Sequence, residues 1–309
     1  MASNSPEIIR ALGAKSPVLN DLTALFPEVW NKVHAELIQL AHNPDPAKIA
    51  HSLTLAHEDW LRHQKTAAGL KQHYNEQLAC QSALRLIRKL ALERFAKEIT
   101  HAALTSQGVL RCYEKLLFRL IALKLAMAKK ALPSAVHSKV WSLFKNRGPA
   151  TVALHGAGCY IIMTKEFIAA LKKRIGVRRT LEIGAGRGLL ARYLKQAGMD
   201  IVAVDDYSWE NRFPMGSNVV KMDGSSALKH FNPEAVISCW PPPGNDFEGN
   251  IFKCSSVKIY AAIISQHKFA SGNWNSYANA RGWECVESMQ LNKLLLPNEA
   301  ESTVLLFSR

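Results

Sequence analysis

Between residues 179 and 196 the chain sets three patterns in direct succession. A short apolar run, Leu181-Glu182-Ile183, is followed by glycines at alternate positions, Gly184, Gly186 and Gly188, and then by an amphipathic stretch from Leu189 to Gln196. This order constrains the fold more than any other feature of the sequence. Glycine lets a backbone turn at positive φ and lets another molecule approach the main chain. The N–H groups at the start of the following helix have no partner within the helix. A strand, a tight glycine turn and a helix form the first half of a βα unit. Similar units follow, with strand-like runs at 179–183, 200–204, 218–222, 234–240 and 256–264, then near 284–290 and 302–308. Strands alternating with helices predict parallel pairing through right-handed crossovers. No helical segment separates the last two runs, so they are expected as an antiparallel hairpin at the sheet edge. Upstream, Thr164 is positioned to cap a helix reaching Lys173, with Gly176 just past its end.

The first half reads differently. Pro27 opens a helix with Trp30, Val33, Leu37 and Leu40 along one stripe, and Asp45 and Pro46 start the next. A longer helix carries Leu84, Ile87, Ala91 and Phe95 on one face and Leu86 and Leu90 on another, as a helix buried between neighbours does. Another carries Leu116, Leu120, Leu123 and Met127. Pro133 stops it, and Ser134 is expected to cap a short helix ending near Gly148. The chain is therefore divided into a helical, basic N-terminal domain, 1–148, and an α/β domain, 149–309. Of the formal charge of +14, residues 1–150 hold 21 Lys/Arg against 11 Asp/Glu, net +10, and residues 151–309 hold 18 against 14, net +4. Such a surface suits an anionic partner, whether nucleic acid, membrane or acidic protein. A second copy of the helical half is the other expected neighbour.

The six cysteines include no CxxC pair, and the eight histidines before residue 149 include no HExxH pair. Neither a zinc pattern nor a disulfide framework is expected, and no metal is assigned. The start, Met-Ala-Ser-Asn-Ser-Pro, lacks a basic and apolar leader, and Leu116 to Leu132 is too short and too charged to span a bilayer. The chain is expected to be cytoplasmic, although export without a cleaved signal would leave the same sequence.

The second strand ends in Asp205, followed by Asp206. An acid there is placed to accept the two hydroxyls of a ribose, each such bond worth about 1.5–3 kcal/mol. Dinucleotide sites favour GxGxxG, which would put the third glycine at position 189. This chain has Leu189 there and Gly188 before it. Glu182, two residues ahead of the first glycine, is placed to take a polar ligand group through water.

With these features the chain resembles the class I S-adenosylmethionine-dependent methyltransferases over about 151–309. Leu181 to Gly188 is similar to that family's first motif, and Asp205, with Asp206 as the near alternative, to its ribose acid. Met222-Asp223-Gly224 resembles the motif whose acid receives the adenine amino group, although Asp223 also suits a helix cap. Val236 to Gly244, with Ser238-Cys239-Trp240-Pro241-Pro242, lies where the family places residues beside the reacting methyl group. The resemblance implies an α/β Rossmann-like fold with a mostly parallel seven-stranded sheet, helices on both faces and an all-α domain ahead of it. It implies S-adenosyl-L-methionine as cofactor, with Glu182, Gly184, Ala185, Gly186, Gly188, Asp205, Asp206, Asp223, Gly224 and Cys239 around it. Trp240, Tyr160 and His155 are the candidates for the catalytic side: Trp240 as wall or cation–π partner, Tyr160 as cover, His155 as base. Trp240 and Pro243 depart from the Asn-Pro-Pro-aromatic motif of enzymes that methylate amino or amide nitrogen. Asp246 and Glu248 are expected in a solvated loop, with contact to a cationic substrate as the alternative. The implied activity is methyl transfer to a small molecule, a protein or a nucleic acid. The alternatives are a non-catalytic binding or scaffold protein on the same fold and, disfavoured by Leu189, a nicotinamide-dependent oxidoreductase.

Overall fold

The computed structural model describes residues 5–14, 17–42, 46–69, 75–105, 109–208, 213–268 and 270–309, and Asp45 lies outside them. The chain divides into two compact units, Met1–Ile99 with Lys268–Ala270, and Thr100–His267 with Ser271–Arg309.

In the first unit the described N-terminal elements are helices: Ser5–Leu12, Leu19–Leu25, Pro27–His42, Pro46–Gly69 and Glu76–Thr105, the last extending past the boundary. Val33, Trp60, Leu86, Ile87 and Ala91 share one core, and Ile49, Leu53 and Leu92 share another. The split differs from the expected stripes: Leu86 and Leu90 pack in the same core as Ile87 and Ala91, Phe95 packs with Leu92 in the other, and Leu84 is exposed. Arg88 donates to both oxygens of Glu36, each at 2.8 Å, and this pairing raises the already high pKa of its guanidinium.

The second unit is built on seven strands: β1 (Thr180–Ile183), β2 (Ile201–Asp205), β3 (Val219–Lys221), β4 (Ala235–Cys239), β5 (Ile259–Ser265), β6 (Glu284–Glu287) and β7 (Ser302–Ser308). All seven lie where the sequence pattern puts them. Their order is β3-β2-β1-β4-β5-β7-β6. β1 pairs in parallel with β2 and β4, β2 with β3, and β4 with β5. β7 runs antiparallel to both β5 and β6. A dinucleotide-binding sheet runs 3-2-1-4-5-6; here the antiparallel β7 takes the place beside β5. The last two strands do pair antiparallel, but a helix, Met289–Asn292, and a 3₁₀ turn, Asn298–Ala300, connect them, and β7 is interior. Burial explains the placement. Val304 and Phe307 of β7 are fully buried, whereas β6 is exposed along its length.

The boundary between units falls at residues 99/100 and not at 148/149. The helices Cys112–Leu117, Ser134–Trp141 and Arg147–Gly156, with the π-helical turn Phe118–Ala122, belong to the second unit. Phe118, Ala122, Trp141 and Phe144 share one core with Leu190, Ile201 and Ile237 of the α/β layer. The Ala128 carbonyl accepts from Tyr193 Oη at 2.6 Å and from Arg192 Nη2 at 2.8 Å. The shift from helical to alternating pattern at residue 148 is a change of secondary structure inside one unit. Gly148 lies in the first turn of a helix rather than at the end of one. Ser134 does not cap its helix: Pro133 holds the N-cap position, Ser134 is the first helical residue, and its N–H donates to Glu166 Oε2 at 2.8 Å. Thr164 does cap Lys165–Ile175, accepting the Phe167 N–H at 3.1 Å, and Gly176 follows at φ +74°.

Among the described residues, no helix is long and apolar enough to cross a membrane, and no cluster of three or more His, Cys, Asp or Glu is placed to hold a metal ion.

Candidate functional site

The order of the sheet reverses between β1 and β4, and an open α/β sheet leaves a crevice at the carboxyl ends of its strands at such a point. A cavity of about 140 Å³, partly open to solvent, occupies that place in the second unit. The glycine loop after β1 forms its floor. The tip of β2 and the segment after β4 form two walls, and residues 158–163 form a third.

The three glycines have different tasks. At Gly184, with φ +72°, a Cβ would meet nothing within 4 Å, so the backbone there faces open space. At Gly188, with φ +63°, a Cβ would lie 2.6 Å from Val219 Cγ2 and 2.8 Å from Asn218 Nδ2. Gly188 is the N-cap of Leu189–Gln196 and does not line the pocket. Its role is close packing beneath the loop. Gly186 donates its N–H to Asp205 Oδ2 at 2.9 Å.

Glu182 is the buried acid of the site. Its Oε2 accepts the Ala191 N–H at 2.8 Å, which satisfies one of the orphan donors in the first turn of the helix Leu189–Gln196. Its Oε1 has no hydrogen-bond partner among the described residues, and the residue borders the pocket. Burial, reinforced by the nearby Asp205 charge, pushes its carboxyl up to about 8 despite the Ala191 bond.

The adjacent acids at the tip of β2 differ in availability. Both Asp205 oxygens are engaged: Oδ2 with Gly186 N–H, and Oδ1 with Tyr207 N–H at 2.8 Å. Burial raises its pKa. Asp206 is exposed. Its Oδ1 accepts the Ser208 N–H at 2.9 Å, and its Oδ2 has no hydrogen-bond partner among the described residues. Both residues line the pocket. Asp223 does not. It is the N-cap of Gly224–Phe231 and accepts the Ser226 N–H at 3.0 Å, which lowers its pKa. Met222 and Gly224, on either side of it, do line the pocket.

Beyond β4 the chain turns at Trp240, whose φ of +53° is a strained conformation for a bulky residue. Its backbone N–H donates to Ile263 O at 2.7 Å, and its indole N–H to Ser302 Oγ at 3.0 Å. Its ring stacks on Tyr160, with centroids 5.4 Å apart at 19°, and lies 4.9 Å from the His155 ring. Tyr160 and Trp240 line the pocket. His155 is buried at the end of its helix, outside the pocket lining, with Nε2 3.2 Å from the Tyr160 carbonyl oxygen. This position suits support of the two rings rather than proton transfer in the pocket. Burial pushes the Cys239 thiol well above its ordinary value and Cys159 up to about 12, so neither supplies a thiolate.

Glu248 is fully buried, contrary to the expected solvated loop, whereas Asp246 is exposed. Tyr260 and Tyr277 hydroxyls donate to Glu248 Oε1. Asn245 Nδ2 and Asn273 N–H donate to Oε2, both at 2.6 Å. Ser238 Oγ meets the Tyr260 hydroxyl in turn. Burial raises the Glu248 pKa against the pull of these donors. The next residue back, Phe247, lines the pocket, so this network fixes one of its walls.

Sequence reasoning did not find Arg187 or Phe213. Arg187 Nε donates to Ala157 O at 2.6 Å, and its guanidinium lies 5.7 Å from the centre of the Phe213 ring. A Cβ at Gly158 would lie 2.6 Å from that ring and one at Gly186 3.3 Å, so these glycines were the local signs of the contact.

No protein-family profile and no curated protein sequence matches this chain. Among solved structures, it is similar to the selenomethionine-substituted CurJ carbon methyltransferase, at 13% identity over 91% of this chain and 98% of that one, with a TM-score of 0.34. It is similar to a point mutant of MtNAS in complex with S-adenosylmethionine, at 10% identity over 99% and 96% of the two chains, TM-score 0.34. A further structure of that mutant gives 9% identity over 92% and 97%, TM-score 0.33.

Proposed function

We propose that the second unit binds S-adenosyl-L-methionine in the pocket at the β1/β4 switch point and transfers its methyl group to an acceptor entering beside Trp240. The observation that carries this reading is that two acids bordering the pocket, Glu182 and Asp206, each keep a carboxyl oxygen, Oε1 and Oδ2, without a hydrogen-bond partner among the described residues. A ligand with a ribose and an ammonium group has hydrogen-bond donors for both. The bare backbone at Gly184, which also lines the pocket, leaves room for it. Asp206 is the better ribose acceptor, because both oxygens of Asp205 already hold backbone N–H groups. When bound, the cofactor supplies an electrophilic methyl on a sulfonium. The chain holds the acceptor in line with it and excludes water, with the stacked Tyr160 and Trp240 rings as the wall. The antiparallel β7 beside β5 and Leu189 in the third-glycine position both disfavour a nicotinamide dinucleotide.

Calorimetric titration with S-adenosylmethionine and S-adenosylhomocysteine tests the reading. Saturable binding is expected, weakened by Asp206→Ala. A folded protein that binds neither at millimolar concentration overturns it. Incubation with methyl-labelled cofactor and fractionated cell extract then identifies the acceptor class. A second reading, a binding module without transfer, is favoured by one observation: the Trp240 indole N–H is occupied by Ser302 Oγ and does not face an acceptor. Cofactor binding with no label entering any fraction would support it.

A further inference from the structure

The positive charge is not spread over the N-terminal half. Residues 1–99 hold 12 Lys/Arg against 10 Asp/Glu, whereas residues 100–150 hold nine against one. That one acid, Glu114, is fully buried. Its Oε2 accepts Arg111 N–H at 2.8 Å and Asn146 Nδ2 at 2.9 Å, and its Oε1 accepts Lys145 N–H at 2.8 Å and Asn146 N–H at 3.0 Å. These bonds, with Asn146 Nδ2 also donating to the Val109 carbonyl at 3.0 Å, draw the start of the helix Cys112–Leu117 against the turn that contains Leu143 and Lys145. They hold its carboxyl down at about 2. The charged side chains that 109–147 leaves exposed are therefore all cations, among them Arg111, Lys115, Arg119 and Lys145. At the border, Glu299 pairs with Arg147 at 3.8 Å.

Large apolar side chains stand among these cations. Val109 is 78% exposed, Leu116 60%, Leu143 55%, Leu120 53% and Tyr113 47%. Tyr113, Leu116 and Leu120 fall three and four residues apart on one face, while Phe118, Ala122 and Ala126 on the other face enter the core.

We propose that this face docks on an anionic phospholipid surface. Lipid headgroups supply negative charge to Arg111, Lys115, Arg119 and Lys145, and the acyl boundary takes up Tyr113, Leu116, Leu120, Val109 and Leu143. A second copy does not fit, because it would bring like charges together. A nucleic acid would meet the cations, but its phosphates give the aliphatic side chains nothing to bury against, and Tyr113 is the one aromatic available for stacking. Val109 and Leu143 lie off the helix, so the patch lacks the single-helix register that a partner helix would read. A fluid surface imposes no register. The proposal is independent of the methyltransferase reading.

Co-sedimentation of the full chain with phosphatidylcholine vesicles, with and without phosphatidylglycerol, tests it. Binding is expected only to the anionic vesicles and is expected to weaken with added salt. The double substitution Leu116→Ser/Leu120→Ser, and separately Lys115→Gln/Arg119→Gln, should each weaken it roughly tenfold or more, with unchanged thermal melting because all four side chains are exposed. Equal sedimentation with neutral and anionic vesicles overturns the proposal. So does unaltered binding of the serine variant. Absence of vesicle binding, with salt-dependent binding of a single-stranded RNA that the serine variant retains, also overturns it and assigns the face to nucleic acid.

Discussion

Asp205 accepts the Gly186 backbone N–H at 2.9 Å, so the tip of β2 is fastened to the middle of the glycine loop. With Tyr207 N–H on its other oxygen, Asp205 has both oxygens engaged, whereas the neighbouring Asp206 keeps Oδ2 without a hydrogen-bond partner among the described residues. Asp205→Ala orphans two half-buried donors and should lower unfolding free energy by about 1–3 kcal/mol in urea denaturation. Asp206→Ala should stay within about 0.5 kcal/mol of the parent while weakening S-adenosylmethionine binding roughly tenfold. The opposite pattern would return the ligand-binding role to Asp205.

Gly184 and Gly188 should separate binding from stability. Both have positive φ, which costs a residue with a Cβ about 1–2 kcal/mol. Alanine at 188 adds a collision with Val219 and Asn218, for a total of about 2–4 kcal/mol. Alanine at 184 meets no neighbour but sends its methyl into the pocket. Melting temperature should fall mainly for Gly188→Ala, and cofactor affinity mainly for Gly184→Ala. Equal losses of both in both variants would contradict the division of roles.

Glu182 should make stability depend on pH. In the folded chain its carboxyl is raised to about 8, and its ordinary value is 4.5. Between these values the folded state holds a proton that the unfolded state has released. Its contribution is therefore fully present below pH 4.5, declines as pH rises and is gone above about 8. Glu182→Gln keeps an acceptor for the Ala191 N–H and cannot titrate. Denaturation midpoints measured across this range should slope less in the variant than in the parent. An unchanged slope would show that Glu182 is ionised throughout.

Glu248 should behave as the anchor of the wall that carries Phe247. Glu248→Ala strands the Tyr277 hydroxyl and the Asn273 N–H and leaves the Tyr260 hydroxyl with Ser238 Oγ alone, at a cost of about 2–3 kcal/mol or more. Glu248→Gln keeps one acceptor but turns a donor toward either the tyrosine pair or the asparagine pair. It should lie between the parent and Glu248→Ala in denaturant stability. Parity of Gln with the parent would mean that Glu248 is already protonated when folded.

Much of the α/β layer was legible in the residues themselves. All seven strands, the glycine turn, the acids after β2 and the Thr164 cap follow from short-range rules, because a two-residue strand period, a glycine at positive φ and a side-chain cap are settled within a few residues of chain. Even Asp223 was readable as a cap, since Asp-Gly-Ser-Ser carries the whole interaction locally. Three things were decided elsewhere. The insertion of β7 between β5 and β6 depends on which strand has two apolar faces to bury, and that is settled by pairing across more than 40 residues of chain (Ile259 with Ser308). The membership of 112–156 in the second unit depends on Phe118 and Trp141 reaching the sheet's core, which no composition boundary reveals. The availability of each acid was decided last: Asp205, Glu114 and Glu248 look as exposed in the sequence as Asp206. The backbone N–H groups and hydroxyls that occupy the first three are brought to them only when the chain has folded, because hydrogen-bond satisfaction of a buried carboxylate is a property of the surrounding loops and not of the residue.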